Sequence, residues 1–155
     1  MTKQEQLETA IEKFWETIPP AWHATRATIR KVAAEQFHLT VEQFQVLRRI
    51  RRGSASVSAL AEASQTSRSA VSRAVEALVR RGLISRSQNA ADRRNLPLAL
   101  TDEGQRVLSA IYAEAEQWLA ARFARLTPEE LDLSLQAMEI LQKAFTENYP
   151  LNTEN

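Results

Sequence analysis

The side chains best suited to chemistry in this sequence are arginines, and they are concentrated in the middle of the chain. Residues 48–94 contain eleven arginines, three acidic residues and no lysine, so this segment has a net charge of +8. The remainder has a net charge of −7, which leaves only +1 for the whole chain. Guanidinium groups bind phosphates and guanine edges through paired donors. The charge pattern therefore favours a nucleic-acid-binding surface, with a solvated basic face as the alternative.

Other kinds of chemistry have little support. The chain has no cysteine, which excludes disulfides, thiolate metal sites, iron–sulfur clusters and thiol-based sensing. Its two histidines, His23 and His38, have no acidic metal-ligand pattern near them, and we predict no metal and no cofactor. We find no phosphate-binding glycine loop and no nucleophile elbow, and helix caps explain the serines of residues 64–72. We therefore predict that the protein is not an enzyme.

The composition is that of a helical globular protein. Hydrophobic residues make up 44% of the 155 residues and charged residues 25%, with only three glycines, which favours long helices over a many-turned β-sandwich. No apolar run approaches the roughly 18 residues of a membrane span, and the first residues lead into no signal-peptide core. We expect a soluble, cytoplasmic protein.

The first part of the chain has apolar residues at helical spacing. Residues 3–17 form one predicted helix, and Pro19 and Pro20 are expected to end it because proline interrupts the backbone hydrogen bonds of a helix. A second predicted helix spans residues 21–36. Both helices are amphipathic, and we expect their apolar faces to be buried in a larger assembly.

The next segment predicts two shorter helices. Thr40 and Gln43 have the spacing of a capping box, in which each side chain accepts from the other residue's backbone N–H group. The helix that begins there is expected to end at Gly53, in the left-handed conformation that glycine adopts easily. A short helix over residues 58–63 follows.

The part of the chain that follows this short helix predicts one more helix and then a hairpin. Ser67 can cap a helix over residues 68–81, which Gly82 terminates. Residues 83–86 and 96–100 have the composition of two strands, separated by a polar loop. The order of elements is therefore helix, tight turn, helix and hairpin.

Two long helices complete the chain. Thr101 is a predicted cap for a helix that continues to about residue 125, and Thr127 with Glu130 predicts the start of the last helix. These helices have more apolar surface than a small domain can cover, so we expect a second copy of the chain to cover it. We predict N-terminal helices of the dimerisation region at 1–38, a helix–turn–helix lobe at 39–100, C-terminal dimerisation helices at 101–150 and a tail at 151–155.

The helix over residues 68–81 has two distinct faces. One face is apolar and the other combines short hydroxyls with long arginines. Small residues let a helix backbone approach the major groove of DNA, and arginine reaches guanine or phosphate there. The alternative is an ordinary solvated helix in which Glu76 pairs with Arg80. The outward-facing residues are Ser69, Ser72, Arg73, Glu76 and Arg80.

The loop between the two predicted strands is polar and basic. Residues 87–95 include Arg93 and Arg94, and an arginine at such a tip can enter the narrow minor groove, where the negative potential is enhanced. Asp92 is placed to hold one of these arginines. An ordinary solvated loop is the alternative.

These motifs together resemble the MarR family of winged-helix transcriptional regulators. The resemblance covers about residues 39–107, and its most distinctive parts are Asp92-Arg93-Arg94 and the run Leu100-Thr101-Asp102-Glu103-Gly104. It implies a mainly α fold, with a winged helix-turn-helix DNA-binding lobe and long N- and C-terminal dimerisation helices. It also implies that seven residues approach DNA: Ser67, Arg68, Ser69, Ser72 and Arg73 in the major groove, and Arg93 and Arg94 in the minor groove. For Arg73 the alternative role is to brace the wing against the helix.

The resemblance further implies a small aromatic or anionic effector bound between the dimerisation helices and the DNA-binding lobe. Four residues lie in the part of the sequence that would form this site, namely Trp15, Trp22, His23 and Phe37. Aromatic residues at helical spacing are, however, more often part of a core. We therefore predict a homodimeric regulator, more often a repressor than an activator, that binds a pseudo-palindromic site on double-stranded DNA and is released by a ligand. The alternative is a winged-helix protein-interaction module that uses its basic face to bind an acidic protein.

Overall fold

The computed structural model describes residues 1–86 and 97–146, and within them it is a helical protein with one small antiparallel sheet. The chain divides into two compact units, one comprising residues 1–116 and the other beginning at residue 117. The elements are α1 (Lys3–Phe37), α2 (Val41–Arg51), α3 (Val57–Ser64), α4 (Arg68–Arg80), β1 (Ile84–Arg86), β2 (Leu98–Leu100), α5 (Asp102–Phe123) and α6 (Pro128–Thr146).

Helix α1 corrects the prediction of two separate N-terminal helices. It is continuous over 35 residues and contains both Pro19 and Pro20. Each proline lacks the N–H group that would bond four residues back, which leaves the carbonyls of Trp15 and Glu16 without that partner. Both of these residues are exposed, so water can satisfy the carbonyls, and the φ angle of proline is itself compatible with a helix. The prolines therefore weaken the helix without ending it.

The core of the first unit lies between α2, α3, α4, the sheet and the first half of α5. Helix α2 packs against α1, α3, α4 and β2. Side chains from every one of the central elements reach zero or near-zero exposure. The largest of them are Leu47, Leu60, Leu78, Ile84, Leu108 and Ile111.

The predicted caps of α2 and α4 are confirmed. At α2, the Gln43 backbone N–H donates to the Thr40 hydroxyl (3.1 Å) and the Thr40 N–H donates to the Gln43 side chain (3.1 Å). At α4, the Ala70 N–H donates to the Ser67 hydroxyl (3.3 Å). Gly53 and Gly82, just beyond the ends of these helices, have φ values of +107° and +71°, as helix-terminating glycines should.

The hairpin is also confirmed, with strands slightly shorter than predicted. Strands β1 and β2 pair in antiparallel orientation, with Ser85 opposite Ala99. The Leu98 N–H donates to the Ala55 carbonyl (2.8 Å), which attaches β2 to the segment that leads into α3. This bond fixes the base of the hairpin beside the helical pair.

The second unit contains the end of α5 and the whole of α6. Thr127 and Glu130 form the predicted capping box, with the Thr127 N–H donating to the Glu130 carboxylate (2.9 Å) and the Glu130 N–H donating to the Thr127 hydroxyl (3.2 Å). Helix α6 begins at Pro128, as predicted. Within the described ranges, none of the helices has an apolar stretch long enough to cross a bilayer.

Candidate nucleic-acid interface

Helix α4 separates its apolar and polar residues onto opposite faces. Four residues at helical spacing are buried in the core, namely Val71, Ala74, Val75 and Leu78. The polar side chains of the same helix point away from the core. An element that is anchored along one whole face presents the other face at a fixed orientation, as groove recognition requires.

The turn before α4 is tight and well hydrogen-bonded. Gln65 ends α3 in the left-handed conformation, with φ of +50°, and the Thr66 N–H donates back to the Ala61 carbonyl (3.3 Å). Ser67 then caps α4, and its hydroxyl lies 3.2 Å from the Ser69 hydroxyl. The two helices therefore form the helix–turn–helix that the sequence predicts.

The five predicted major-groove residues are brought together at the N-terminal end of α4. Ser67, Arg68, Ser69 and Arg73 are exposed and Ser72 is half-buried. The unpaired N–H groups and dipole of a helix N-terminus attract phosphate oxygens, and the two arginines add formal positive charge. This end of α4 can thus hold an anionic backbone and direct hydroxyl and guanidinium groups to base edges.

The alternative interpretation of α4 predicts an ion pair between Glu76 and Arg80. Both residues lie within the described range and are exposed, and the structure has no ion pair between them. The outward face is therefore not neutralised by a pair within the helix.

The base of the hairpin lies next to α4 along the chain, and its last described residue on β1, Arg86, is exposed. The predicted minor-groove residues Arg93 and Arg94, together with Asp92, lie outside the described residues. Their roles remain predictions.

Not all the arginines of the basic segment are on the surface. Arg48 is only 8% exposed, and its Nε finds no hydrogen-bond partner among the residues that the structure describes. Burial lowers the pKa of Arg48, and the nearby positive charges of Arg52, Arg26 and Arg49 lower it further. On the same helix, the Arg51 guanidinium lies 4.5 Å from the ring centroid of Tyr112. Arg51 is itself exposed, so of these two arginines only Arg48 is withdrawn from the basic surface into the interior of the first unit.

The residues predicted to bind a ligand are spread along α1. Trp15 and Trp22 are 66% and 55% exposed, His23 is exposed, and Phe37 is half-buried against the core. In a continuous helix the separation of 22 positions between Trp15 and Phe37 corresponds to about 33 Å. These two aromatics therefore cannot line one small pocket of a single protomer. The described residues contain no group of three or more histidine, aspartate or glutamate side chains that could hold a metal ion.

Two contacts between distant parts of the chain escaped prediction from the sequence. The Arg81 guanidinium donates to the backbone carbonyls of Phe37 (2.7 Å) and His38 (3.0 Å) at the end of α1. Gly104 lies against the backbone of Leu83 so closely that a methyl group has no room there. Both contacts join residues distant in sequence, so spacing does not predict them, although Gly104 itself belongs to the run on which the family resemblance rests.

Comparison with known proteins agrees with this architecture. Residues 39–96 match the family model described as MarR family. A curated relative, the HTH-type transcriptional repressor MdtR of Bacillus subtilis, is 36% identical over 110 residues, which are 70% of this chain and 69% of that protein.

Solved structures show the same fold. The transcriptional regulator Tm0710 of Thermotoga maritima superposes with a TM-score of 0.80 at 23% identity, covering 88% of this chain and 96% of that one. A mutant of MepR from S. aureus, solved bound to an oligodeoxyribonucleotide, superposes with a TM-score of 0.67 at 20% identity, covering 86% and 98%. The family-model match, the identity to a curated repressor and the winged-helix architecture agree: this chain belongs to the MarR family of transcriptional regulators.

Proposed function

We propose that the protein is a cytoplasmic, homodimeric repressor that binds a pseudo-palindromic site on double-stranded DNA. The observation that carries this proposal is the exposed row of Arg68, Ser69 and Arg73 on a helix whose opposite face is buried in the core. Short hydroxyls allow close approach to the major groove, and the arginines supply donors to guanine or phosphate. The DNA-bound MepR structure of the same fold supports this assignment by analogy.

The hairpin is proposed as the second contact with DNA. Its base is attached to the segment that leads into α3 through the Leu98 to Ala55 hydrogen bond, which holds the described part of the hairpin beside the helical pair. We assign Arg93 and Arg94 to the adjacent minor groove on the basis of their charge and sequence position. The DNA-binding lobe in this proposal comprises residues 39–100.

A homodimer accounts for exposed apolar surface in both units. On α1, five apolar residues are each at least 39% exposed and recur at spacings of three, four and seven residues. They are Leu7, Ile11, Trp15, Ile18 and Trp22. Helix α6 has no buried residue, and Leu135, Met138 and Phe145 are more than half exposed. Stripes of this kind are buried in stable proteins, and a second copy would also supply the second half-site contact of a palindrome. In this proposal the dimerisation regions are residues 1–38 and 101–150.

Repression follows from occupancy in this proposal. A dimer on a promoter-proximal site excludes polymerase, and a ligand near Trp15, Trp22, His23 or Phe37 would release it by favouring an arrangement of the lobes that does not match the DNA. Such release requires that the ligand bind the two arrangements with different affinities. Because they are spread along α1, the four residues would either line a pocket that the second protomer completes, or only some of them would contact the ligand.

The test is fluorescence anisotropy of a labelled duplex from upstream of the protein's own gene, against a scrambled duplex, over a salt series. The proposal expects tighter binding to the upstream duplex at physiological salt, with an affinity that falls steeply as salt rises because counterions are released. Equal and weak binding to both duplexes would contradict sequence specificity. No binding to either at low salt would favour the alternative of a protein-interaction module.

A further inference from the structure

The C-terminal end of α1 is held by a side chain from another element. Phe37, the last residue of α1, and His38, its cap, present carbonyls that have no partner within the helix. Arg81, at the C-terminal cap of α4, donates one guanidinium nitrogen to each of these carbonyls, at 2.7 Å and 3.0 Å. The planar, forked geometry of guanidinium suits two donations to successive carbonyls.

The electrostatics of this end of α1 favour a cation from outside. The C-terminus of a helix carries partial negative charge, and a basic residue in its last turn usually offsets it. Helix α1 has no basic residue in its last turn. Arg81 therefore supplies the cation at this end from a position 43 residues further along the chain.

The contact also fixes an unusual backbone conformation. His38 has a φ of +52°, which is rare for a residue with a side chain. The next residue, Leu39, is buried and donates its N–H to the Ala33 carbonyl (3.0 Å). With the His38 carbonyl also bound by Arg81, the connection from α1 to α2 has a defined direction on both sides of His38.

We propose that Arg81 is a positioning residue that sets the orientation of α4 relative to α1. Its place in the fold supports this role. Arg81 lies at the end of α4, the helix that carries Ser69 and Arg73. Its guanidinium is hydrogen-bonded to the end of α1, the helix that carries the exposed apolar stripe from Leu7 to Trp22. A displacement of α1 in the dimer is thereby transmitted to the DNA-facing helix through two hydrogen bonds. The consequence for DNA rests on the proposed function, whereas the fixed orientation does not.

The orientation can be measured without DNA. Because the chain has no native cysteine, spin labels can be placed at Lys31→Cys on α1 and Glu76→Cys on α4, both exposed. Labelled chains are diluted with unlabelled chains, so that each measured distance lies within one protomer. We expect a narrow distance distribution in the parent, clear broadening or displacement in Arg81→Ala, and a smaller change in Arg81→Lys, which keeps the charge but not the fork.

Arg80→Ala is the matched control, since it removes the same charge from the neighbouring exposed position. Its distance distribution should equal that of the parent. An Arg81→Ala distribution as narrow as the parent's, or equal broadening in Arg80→Ala, would overturn the proposal.

A second measurement separates positioning from direct contact with DNA. Removal of a phosphate contact lowers the slope of log affinity against log salt by about 1, whereas a positioning residue lowers affinity with the slope unchanged. We expect Arg81→Ala to weaken binding to the upstream duplex about tenfold, as loss of charged hydrogen bonds does, with the parent's salt slope. Unchanged affinity, or a reduced slope, would overturn the positioning role in DNA binding. If the parent itself binds no DNA, the proposed function fails while the spin-label distances still decide the orientation.

Discussion

Gly104 lies directly against the carbonyl oxygen of Leu83, which would overlap a methyl group on its Cα. That carbonyl also accepts from the Thr101 N–H (3.1 Å), and the Thr101 hydroxyl donates to the Gly82 carbonyl (2.6 Å) while it accepts from the Gly104 N–H (3.1 Å). The first turn of α5 is thus bonded directly to the turn that leaves α4. This contact places α5 at the start of the hairpin and explains why glycine occupies position 104.

The first prediction concerns this contact. Gly104→Ala should lower the free energy of unfolding by about 3 kcal/mol, because the backbone of Leu83 or of α5 must move to make room. Urea denaturation at fixed protein concentration measures the change. The sign of the change in the free energy of unfolding decides the question, since Gly→Ala in an unobstructed helix raises stability by about 1 kcal/mol. Gln105→Ala, at the exposed neighbouring position, serves as control, and a Gly104→Ala variant at least as stable as the parent would contradict the close approach.

The second prediction concerns the apolar stripe of α1. Ile11 is 50% exposed, and Ile11→Glu places a charge where the second copy is proposed to pack, which should weaken the dimer at least tenfold. Sedimentation equilibrium distinguishes the monomer mass of 17.5 kDa from twice that value. Thr9→Glu introduces the same charge on the opposite side of the helix, where it should leave the dimer intact. Equal association in the two variants would exclude the stripe as the interface.

The third prediction concerns the DNA-facing side of α4. Ser69 is exposed beside the cap residue Ser67, and Ser69→Glu would bring a negative charge against phosphates. We expect binding to the upstream duplex to weaken by roughly a hundredfold, because like charges at an interface cost several kcal/mol. The control is Ser109→Glu on the exposed side of α5, with both variants compared by anisotropy. Retention of the parent's affinity by Ser69→Glu would mean that this face does not meet DNA.

The fourth prediction concerns the hairpin loop. Arg94→Ala should weaken binding to the upstream duplex about tenfold and leave the dimer intact, because a minor-groove arginine interacts with the enhanced negative potential there. Arg125→Ala removes the same charge from an exposed position just beyond the end of α5 and should change affinity little. If both variants bind as the parent does, the loop has no part in DNA recognition.

Local patterns predicted most of the elements correctly because their causes are local. Helix caps and helix-terminating glycines involve only residues a few positions apart. Examples are the capping boxes at Thr40 and Thr127, the cap at Ser67, and Gly53 and Gly82. The division of α4 into two faces follows directly from its helical period. These features could be read from spacing alone, and the structure confirms them.

The sequence did not predict features that depend on contacts with distant residues or with solvent. The sequence predicts that two prolines end the first helix, yet α1 continues through them, at a place where the residues whose carbonyls lose their helical partners are exposed. The Arg81 contact with Phe37 and His38 spans more than 40 residues, and the burial of Arg48 depends on how α1, α2 and α5 pack. No spacing rule contains this information.

The most direct test of the central claim is a dimethyl sulfate footprint on the upstream duplex. This reagent methylates guanine N7 in the major groove and adenine N3 in the minor groove, so one experiment reports on α4 and on the hairpin loop. We expect protected guanines in two half-sites about one helical turn apart, flanked by protected adenines. At protein concentrations raised to keep the duplex bound, the guanine protection should be lost in Ser69→Glu and the adenine protection in Arg94→Ala. A duplex that is bound but has no groove protection, or protection without two-fold symmetry, would contradict a homodimeric winged-helix repressor.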